Sequence, residues 1–228
     1  TQFDMKEVES IGMLKMDFLA LTTLTDIKKA CDYILEDTGV EIDFNALGYN
    51  NPEAYALISE GDTDAVFQLE QGGMKRFMKD LKPDCLEDII AGVALYRPGP
   101  MAYIPTYIEN KLNPSKVKYD TPLLEHILKV TYGVIIYQEQ VMQIFQDLAG
   151  FSLGQADLVR RAMGKKNKAE LMAQKEKFIS GNIDQGGNIE GAVSRGVPKE
   201  VAEKVFGDME SFASYAFNKA HATCYAVL

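Results

Sequence analysis

The sequence has no tryptophan, only two histidines and three cysteines among its 228 residues, and these scarcities remove several kinds of site. The cysteines, Cys31, Cys85 and Cys224, are isolated and form no Cys-x-x-Cys pair. This argues against a disulfide framework and against a thiolate zinc site, and it favours a reducing cytoplasm. With two histidines in the chain, a histidine-based metal site is not expected.

Long hydrophobic runs are also missing. No apolar run approaches the roughly 18 residues that span a bilayer, and the first residues have neither a basic flank nor an apolar secretion segment. At 46% hydrophobic and 25% charged, the chain can bury a core and should be soluble. Its length fits one large domain, or one domain with a piece of another.

The net charge of −9 is unusual for a nucleic-acid-binding protein, so its distribution matters more than its sum. Residues 158–179 carry seven lysines and arginines against two glutamates, a local charge of +5 that leaves −14 elsewhere. A concentrated positive patch on an acidic protein suggests an anion site. A solvated, lysine-rich helix face has the same composition, so charge alone leaves both interpretations open.

Apolar spacing predicts a mainly α-helical fold with a few short β strands. Residues 14–18 alternate apolar and polar side chains, which is the period of a strand. Apolar residues between 21 and 35 recur at helical spacing, and Gly39 would end that helix. Asn51 followed by Pro52 is typical of a helix start.

Further along the chain, helices are predicted from residue 141 to Gly150, from Ser152 to Gly164, over 171–179 and after Pro198. Residues 65–69 are predicted to be a short extended run and residues 134–137 a short strand. Residues 180–196 are predicted to be a glycine-rich loop. The last apolar segment, residues 215–228, stops without a cap or a polar tail, and we expect a helix cut before its end.

Lys15 and Asp17 are two residues apart on the predicted N-terminal strand and would share one face. A carboxylate beside an ammonium group can hold a divalent cation and the phosphate that the cation bridges. A plain ion pair on a half-exposed strand would give the same pattern.

Residues 160–166, Arg-Arg-Ala-Met-Gly-Lys-Lys, are more specific. Arg161 and Lys165 are four apart and share a helix face, and Gly164 lets the chain turn. Arg160, Arg161, Lys165 and Lys166 could together bind a triphosphate, with arginine supplying bidentate contacts. The alternatives are a clamp on the DNA backbone and a solvated surface.

Asn218, His221 and Tyr225 lie at positions i, i+3 and i+7, one stripe of a helix, with Lys219 beside them. They could form a polar wall near a nucleotide, or a set of satisfied polar groups at a domain interface. Two compact segments, residues 96–100 and 132–140, are interpreted only as rigid turns that position side chains.

Six segments resemble, in order, the alpha subunit of bacterial DNA polymerase III, a family C replicative polymerase. The resemblance covers nearly the whole chain, in residues 14–21, 66–74, 81–100, 132–143, 160–166 and 212–226. It implies a domain division in which residues 1–22 are the last strand of the polymerase palm. Residues 23–228 would be the mainly helical fingers domain, truncated at its C-terminus.

The resemblance also implies roles for single residues. Asp17 matches the third of three catalytic, metal-binding aspartates, and Lys15 matches an active-site lysine. The residues implied to bind nucleotide are Arg160, Arg161, Lys165, Lys166, Asn218, Lys219 and His221. The sequence differs from the family pattern at Ala20, where a glycine is common, and in residues 181–195, which form a longer stretch than in many relatives. Neither difference involves the residues with implied roles in catalysis or nucleotide binding.

The implied reaction is DNA-templated nucleotidyl transfer with two Mg²⁺ ions, on primer-template DNA and deoxynucleoside triphosphates. The family's first two aspartates are not in the sequence, so the chain alone is expected to be inactive. The clamp and clamp loader would bind parts of a longer protein. In the intact site, the basic helix end should face Asp17 across an open cleft. The alternatives are a non-catalytic nucleic-acid-binding module and a replisome scaffold.

Overall fold

A computed structural model describes residues 2–14, 16, 20–164, 168–184, 187–213 and 215–228. The chain divides into two compact units, Thr1–Gly48 and Tyr49–Leu228. Across the described ranges the regular structure is helical apart from one short β hairpin, which confirms the predicted mainly α fold class. Within these ranges no helix is both long enough and apolar enough to cross a membrane.

The described residues of the N-terminal unit form three helices that depend on local signals. Asp4 and Glu7 form a reciprocal capping box at the start of the first helix. The second helix ends where Gly39 adopts a left-handed conformation, as its sequence predicted. None of the residues described in this unit is buried. The helices are α1 (Met5–Ser10), α2 (Thr22–Thr38) and α3 (Phe44–Leu47).

The C-terminal unit contains the remaining described elements. Asn51 caps its first helix and Pro52 stands at the first helical position, as predicted. Short 3-10 turns connect several helices in the middle of the unit. The elements are α4 (Pro52–Glu60), α5 (Gly72–Leu81), α6 (Leu86–Leu95), α7 (Ile104–Leu112), α8 (Glu125–Leu128), α9 (Gln138–Ala149), α10 (Leu153–Gly164), α11 (Lys168–Ser180), β1 (Asn182–Asp184), β2 (Gly187–Ile189), α12 (Lys199–Ala213) and α13 (Lys219–Val227).

The core of the C-terminal unit is built around α9, which packs on α10, α11 and α12. Phe145 of α9 is fully buried, and its ring meets those of Phe151, Phe178 and Phe206 at centroid distances of 5.1, 5.1 and 6.0 Å. Such edge-to-face aromatic contacts add to the free energy gained from apolar burial. A second helix pair, α6 and α13, packs together in the same unit.

Three local predictions were wrong. Residues 65–69 form turns rather than an extended run, because Ala65 and Gln68 both have positive φ. Residues 134–137 form no strand, and only Tyr137 makes a single parallel bridge, to Phe217. The glycine-rich stretch 180–196 is not a plain loop, since it contains the antiparallel pair β1–β2.

Two glycines explain why that stretch misled the prediction. Gly181 and Gly191 have φ of 81° and 84°, and a Cβ on Gly191 would stand 2.2 Å from the Gly181 nitrogen. These residues therefore allow two backbones to approach closely, and they do not make a flexible loop. The predicted N-terminal strand, residues 14–18, lies mostly outside the described residues and stays a prediction.

Candidate functional site

The segment that begins α9, residues 136–140, is the meeting point of the predicted site elements. Phe217 donates its backbone N–H to the Ile136 carbonyl at 3.0 Å, and Gln138 donates its own to the Phe217 carbonyl at 2.9 Å. The bridge joins two chain segments that are about eighty residues apart. It fixes the start of α9 beside the segment that leads into α13.

Gln140 holds this segment in shape from inside the protein. Its side chain is 5% exposed and accepts backbone hydrogen bonds from Ile136 and Tyr137 at 2.9 and 3.0 Å. The same amide donates to the Ile127 carbonyl and the Thr131 hydroxyl at 3.2 and 2.7 Å. Every polar atom of a buried amide is thus satisfied, which makes the turn rigid.

Glu139 binds the start of α13. Its carboxylate accepts from the Asn218 side-chain amide at 2.8 Å and from the Lys219 backbone N–H at 3.0 and 3.1 Å. Asn218 in turn caps the helix, because its side-chain oxygen accepts from the His221 backbone N–H at 2.8 Å. A carboxylate at a helix N-terminus satisfies exposed donors and is favoured by the helix dipole.

Lys219 also holds α13 in place. Its ammonium lies 3.0 Å from the Glu87 carboxylate of α6 and 5.4 Å from the centre of the Tyr137 ring. Burial, reinforced by the charges of Glu87 and Glu139, raises the pKa of the Tyr137 hydroxyl, so this group stays neutral. Lys219 lies beside the predicted stripe of Asn218, His221 and Tyr225, and its ammonium points to α6.

His221 packs between two aromatic rings. It meets the Phe217 ring at 5.2 Å and the Tyr225 ring at 4.6 Å, both nearly edge-on. The Tyr225 ring also lies 5.5 Å from the Phe67 ring. These four side chains, with Arg97, line a pocket of about 400 Å³. The structure thus brings His221 and Tyr225 together on one face, and that face opens onto a cavity.

Arg97 helps to hold the wall of this cavity in place, a role that the sequence did not indicate. Its guanidinium lies 3.8 Å from the centre of the Phe217 ring and donates to the Ala94 and Tyr215 carbonyls at 3.2 and 3.1 Å. Partial burial lowers the pKa of Arg97. Gly99, at φ 101°, lets the Tyr215 ring approach, because a Cβ there would lie 2.4 Å from that ring.

Arg160 and Arg161 share one carboxylate near the end of α10. Arg160 donates through Nε and Nη2 to one oxygen of Asp157 at 3.0 and 2.8 Å, and Arg161 contacts the other oxygen at 2.8 Å. Arg160 also donates through Nη1 to the Gln138 side-chain oxygen at 3.0 Å. These contacts, Arg160 first, hold the pKa of Asp157 below its usual value. The Arg161 side chain is 64% exposed and that of Arg160 is 25% exposed.

Asp157 was missed although the sequence carries its signal. It lies three residues before Arg160 and four before Arg161, the spacings at which side chains meet on a helix. Gln138 carried no such signal, because its partner on α10 is 22 residues away.

Four predicted site residues lie outside the described residues: Lys15, Asp17, Lys165 and Lys166. The expected cleft between Asp17 and the basic helix end therefore stays a prediction. Among the residues that are described, the only cluster with metal-ligand geometry is Asp84, Cys85 and Asp88. The Lys111 ammonium lies 2.9 Å from Asp88 and 3.6 Å from Asp84, so a cation already pairs with both carboxylates of that cluster.

The chain is similar to known proteins along its whole length. Residues 23–186 match the family "Bacterial DNA polymerase III alpha subunit finger domain". DNA polymerase III subunit alpha of Aquifex aeolicus is 50% identical over 231 residues, which covers 100% of this chain and 19% of that protein.

The same protein of Thermus aquaticus is 48% identical, covering 100% of this chain and 18% of the relative. That of Staphylococcus aureus is 46% identical, covering 99% of this chain and 20% of the relative. The chain thus spans about a fifth of the length of the curated relatives it matches. The chain belongs to the bacterial DNA polymerase III alpha subunit finger domain family.

Proposed function

We propose that this chain is part of a DNA-templated DNA polymerase, in which Arg160 and Arg161 bind the triphosphate of the incoming deoxynucleotide. The observation that carries the proposal is that two guanidinium groups share the single carboxylate of Asp157. The group therefore keeps a net positive charge. Arginine donors in a fixed fork suit phosphate oxygens, and donors fixed in advance stabilise charge in the transition state.

The start of α13 supplies the second part of the proposed nucleotide site. His221 lines the pocket of about 400 Å³, which is large enough for part of a nucleotide. Asn218 and Lys219 contribute by fixing the start of α13, through the cap on His221 and the ion pair with Glu87. Lys165 and Lys166, which follow Arg161 by four and five residues, would add charge toward the same phosphates.

The metal-binding part of the proposal rests on Lys15 and Asp17, from the family resemblance. Asp17 would be one ligand of two Mg²⁺ ions, with further carboxylates supplied by the rest of a complete alpha subunit. Such ions, when bound, assist attack by the 3′-hydroxyl and stabilise charge on the transferring phosphate. Primer-template DNA and deoxynucleoside triphosphates are the proposed substrates, and the cytoplasm is the proposed location.

Single-nucleotide incorporation by the complete alpha subunit that contains this chain tests the proposal. Arg160→Ala or Arg161→Ala should lower kcat/KM on the order of 100-fold, the scale for losing a preorganised donor. Lysine at either position should restore activity only in part, because it cannot make bidentate contacts. Arg195→Ala is the matched control, since Arg195 pairs with Glu190 in the same unit. Unchanged kinetics in the double alanine variant would contradict the proposal.

A further inference from the structure

We infer that Gln138 is a positioning residue that couples Arg160 to the segment leading to His221. The inference rests on the proposed function, because it concerns the arrangement of the two parts of that nucleotide site. Arg160 stands on α10, whereas His221 stands on α13. The Gln138 side chain, at the first position of α9, has a hydrogen bond to each side.

The side-chain amide of Gln138 accepts one hydrogen bond through its oxygen and donates another through its nitrogen. Its oxygen accepts from Nη1 of Arg160 at 3.0 Å, and its nitrogen donates to the Ala216 carbonyl at 3.1 Å. The backbone N–H of Gln138 adds a third contact, to the Phe217 carbonyl at 2.9 Å. An amide carries both an acceptor and donors, so one side chain can bind a cationic donor and a carbonyl together.

The hydrogen bond from Gln138 to Ala216 is linked to His221 through the neighbouring residue Phe217. Ala216 precedes Phe217, whose ring packs against the His221 ring at 5.2 Å. A shift of the 216–217 backbone therefore moves the ring that supports His221. Gln138 links that backbone to the guanidinium that is proposed to hold phosphate, so the two parts keep a fixed separation.

Removal of the Gln138 side chain should leave the surrounding fold in place. The segment before α13 has other anchors, since Arg97 binds the Tyr215 carbonyl and Glu139 binds the Lys219 backbone N–H. Arg160 likewise keeps its two contacts with Asp157. Loss of Gln138 would therefore separate two correctly folded parts, and the expected effect is on nucleotide use.

The variant Gln138→Met keeps the length of the side chain and removes both hydrogen bonds. In single-nucleotide incorporation by the complete alpha subunit, it should raise the KM for the deoxynucleotide by about 10-fold, which corresponds to about 1.4 kcal/mol of lost binding. The melting temperature should fall by no more than about 8 °C, the shift expected from two lost hydrogen bonds. Gln143→Met, at an exposed position of the same helix, is the control and should match the unsubstituted protein.

A double-mutant cycle distinguishes coupling from a general structural effect. If Gln138 acts through Arg160, the double variant Gln138→Met, Arg160→Ala should be no more than about 2-fold worse than Arg160→Ala alone. Independent effects would multiply to about 1000-fold, and that result would overturn the inference. So would a Gln138→Met variant whose KM stays within about 2-fold of normal while Arg160→Ala is impaired.

Gln138→Glu provides a second test, which can be carried out even if the methionine variant folds poorly. Glutamate keeps an acceptor for Arg160 but has no donor for the Ala216 carbonyl. A bridging role predicts that this variant also raises KM, whereas full activity would show that acceptance from Arg160 alone is needed and would overturn the bridge. If Arg160→Ala itself has no effect on incorporation, the proposed function fails, independently of Gln138.

Discussion

The two units of the chain differ in what holds their side chains. In Thr1–Gly48 no described residue is buried, and its helices depend on caps and on an exposed i,i+4 ion pair, Lys28–Asp32. In Tyr49–Leu228 an aromatic core and a buried ion pair hold the elements, and long-range hydrogen bonds join α9, α10 and α13. Local signals set where helices begin and end, but only long-range contacts fix side chains as a binding site requires.

The largest expected difference is in the free energy of unfolding lost when a phenylalanine is replaced by alanine in each of the two units. Phe145→Ala removes the centre of the buried cluster and should lower the free energy of unfolding by about 4 kcal/mol. Phe44→Ala, at a side chain that is 56% exposed, should change it by less than about 0.5 kcal/mol. Denaturant unfolding of both variants measures the contrast, and equal losses would show that the two units are held in the same way.

A smaller contrast is expected between the two ion pairs. Asp88 is 1% exposed and Lys111 8% exposed, so Lys111→Met leaves a buried carboxylate without its cation. The expected cost is about 3 kcal/mol. Lys28→Met breaks the Lys28–Asp32 pair, whose side chains are 75% and 52% exposed, and should cost less than about 0.5 kcal/mol.

Unfolding measured in parallel decides this second comparison. If Lys111→Met is as stable as Lys28→Met, the Asp88 carboxylate does not depend on Lys111. The Tyr107 hydroxyl, 3.4 Å from Asp88, would then be the next group to test.

The smallest predicted effect depends on pH. Partial desolvation raises the pKa of Asp208, Lys204 opposes the rise, and the Asp120 carboxylate adds to it. A raised pKa in the folded state means that ionised Asp208 costs stability at neutral pH and that this cost disappears as the pH falls below its unfolded pKa.

Asp208→Asn should therefore raise the melting temperature at pH 7 by less than about 2 °C, and the gain should vanish near pH 3. The same substitution at Asp37, another exposed aspartate, in the N-terminal unit, serves as the control. A gain that persisted at low pH would assign the effect to packing and not to charge.

The features that were predictable from sequence are the ones whose causes lie within a few residues. The start of α4 follows from Asn51 and Pro52, and the ends of α2 and α9 follow from Gly39 and Gly150. The buried face of α9 follows from its apolar spacing. In each case a local signal agrees with the tertiary contacts.

The features that were not predictable depend on contacts between distant residues. Glu139 meets Asn218 across 79 residues, and Arg97 meets the Tyr215 carbonyl across 118. Nothing in the spacing of residues 132–140 indicates which side chain faces which partner. The resemblance places Lys219 with the nucleotide-binding residues, and nothing in the sequence indicates that its ammonium also pairs with Glu87 of α6. The resemblance to a family supplied the proposed site residues but not the contacts that surround them.

Nucleotide titration of the 228-residue chain tests most directly whether Arg160 and Arg161 form a triphosphate site. The chain should bind a deoxynucleoside triphosphate more tightly than a short single-stranded oligonucleotide at the same ionic strength. The double variant Arg160→Ala, Arg161→Ala should weaken triphosphate binding by at least about 10-fold, since charge-assisted bonds to phosphate are lost. A preference for the oligonucleotide, together with triphosphate binding that the double variant leaves unchanged, would contradict this assignment.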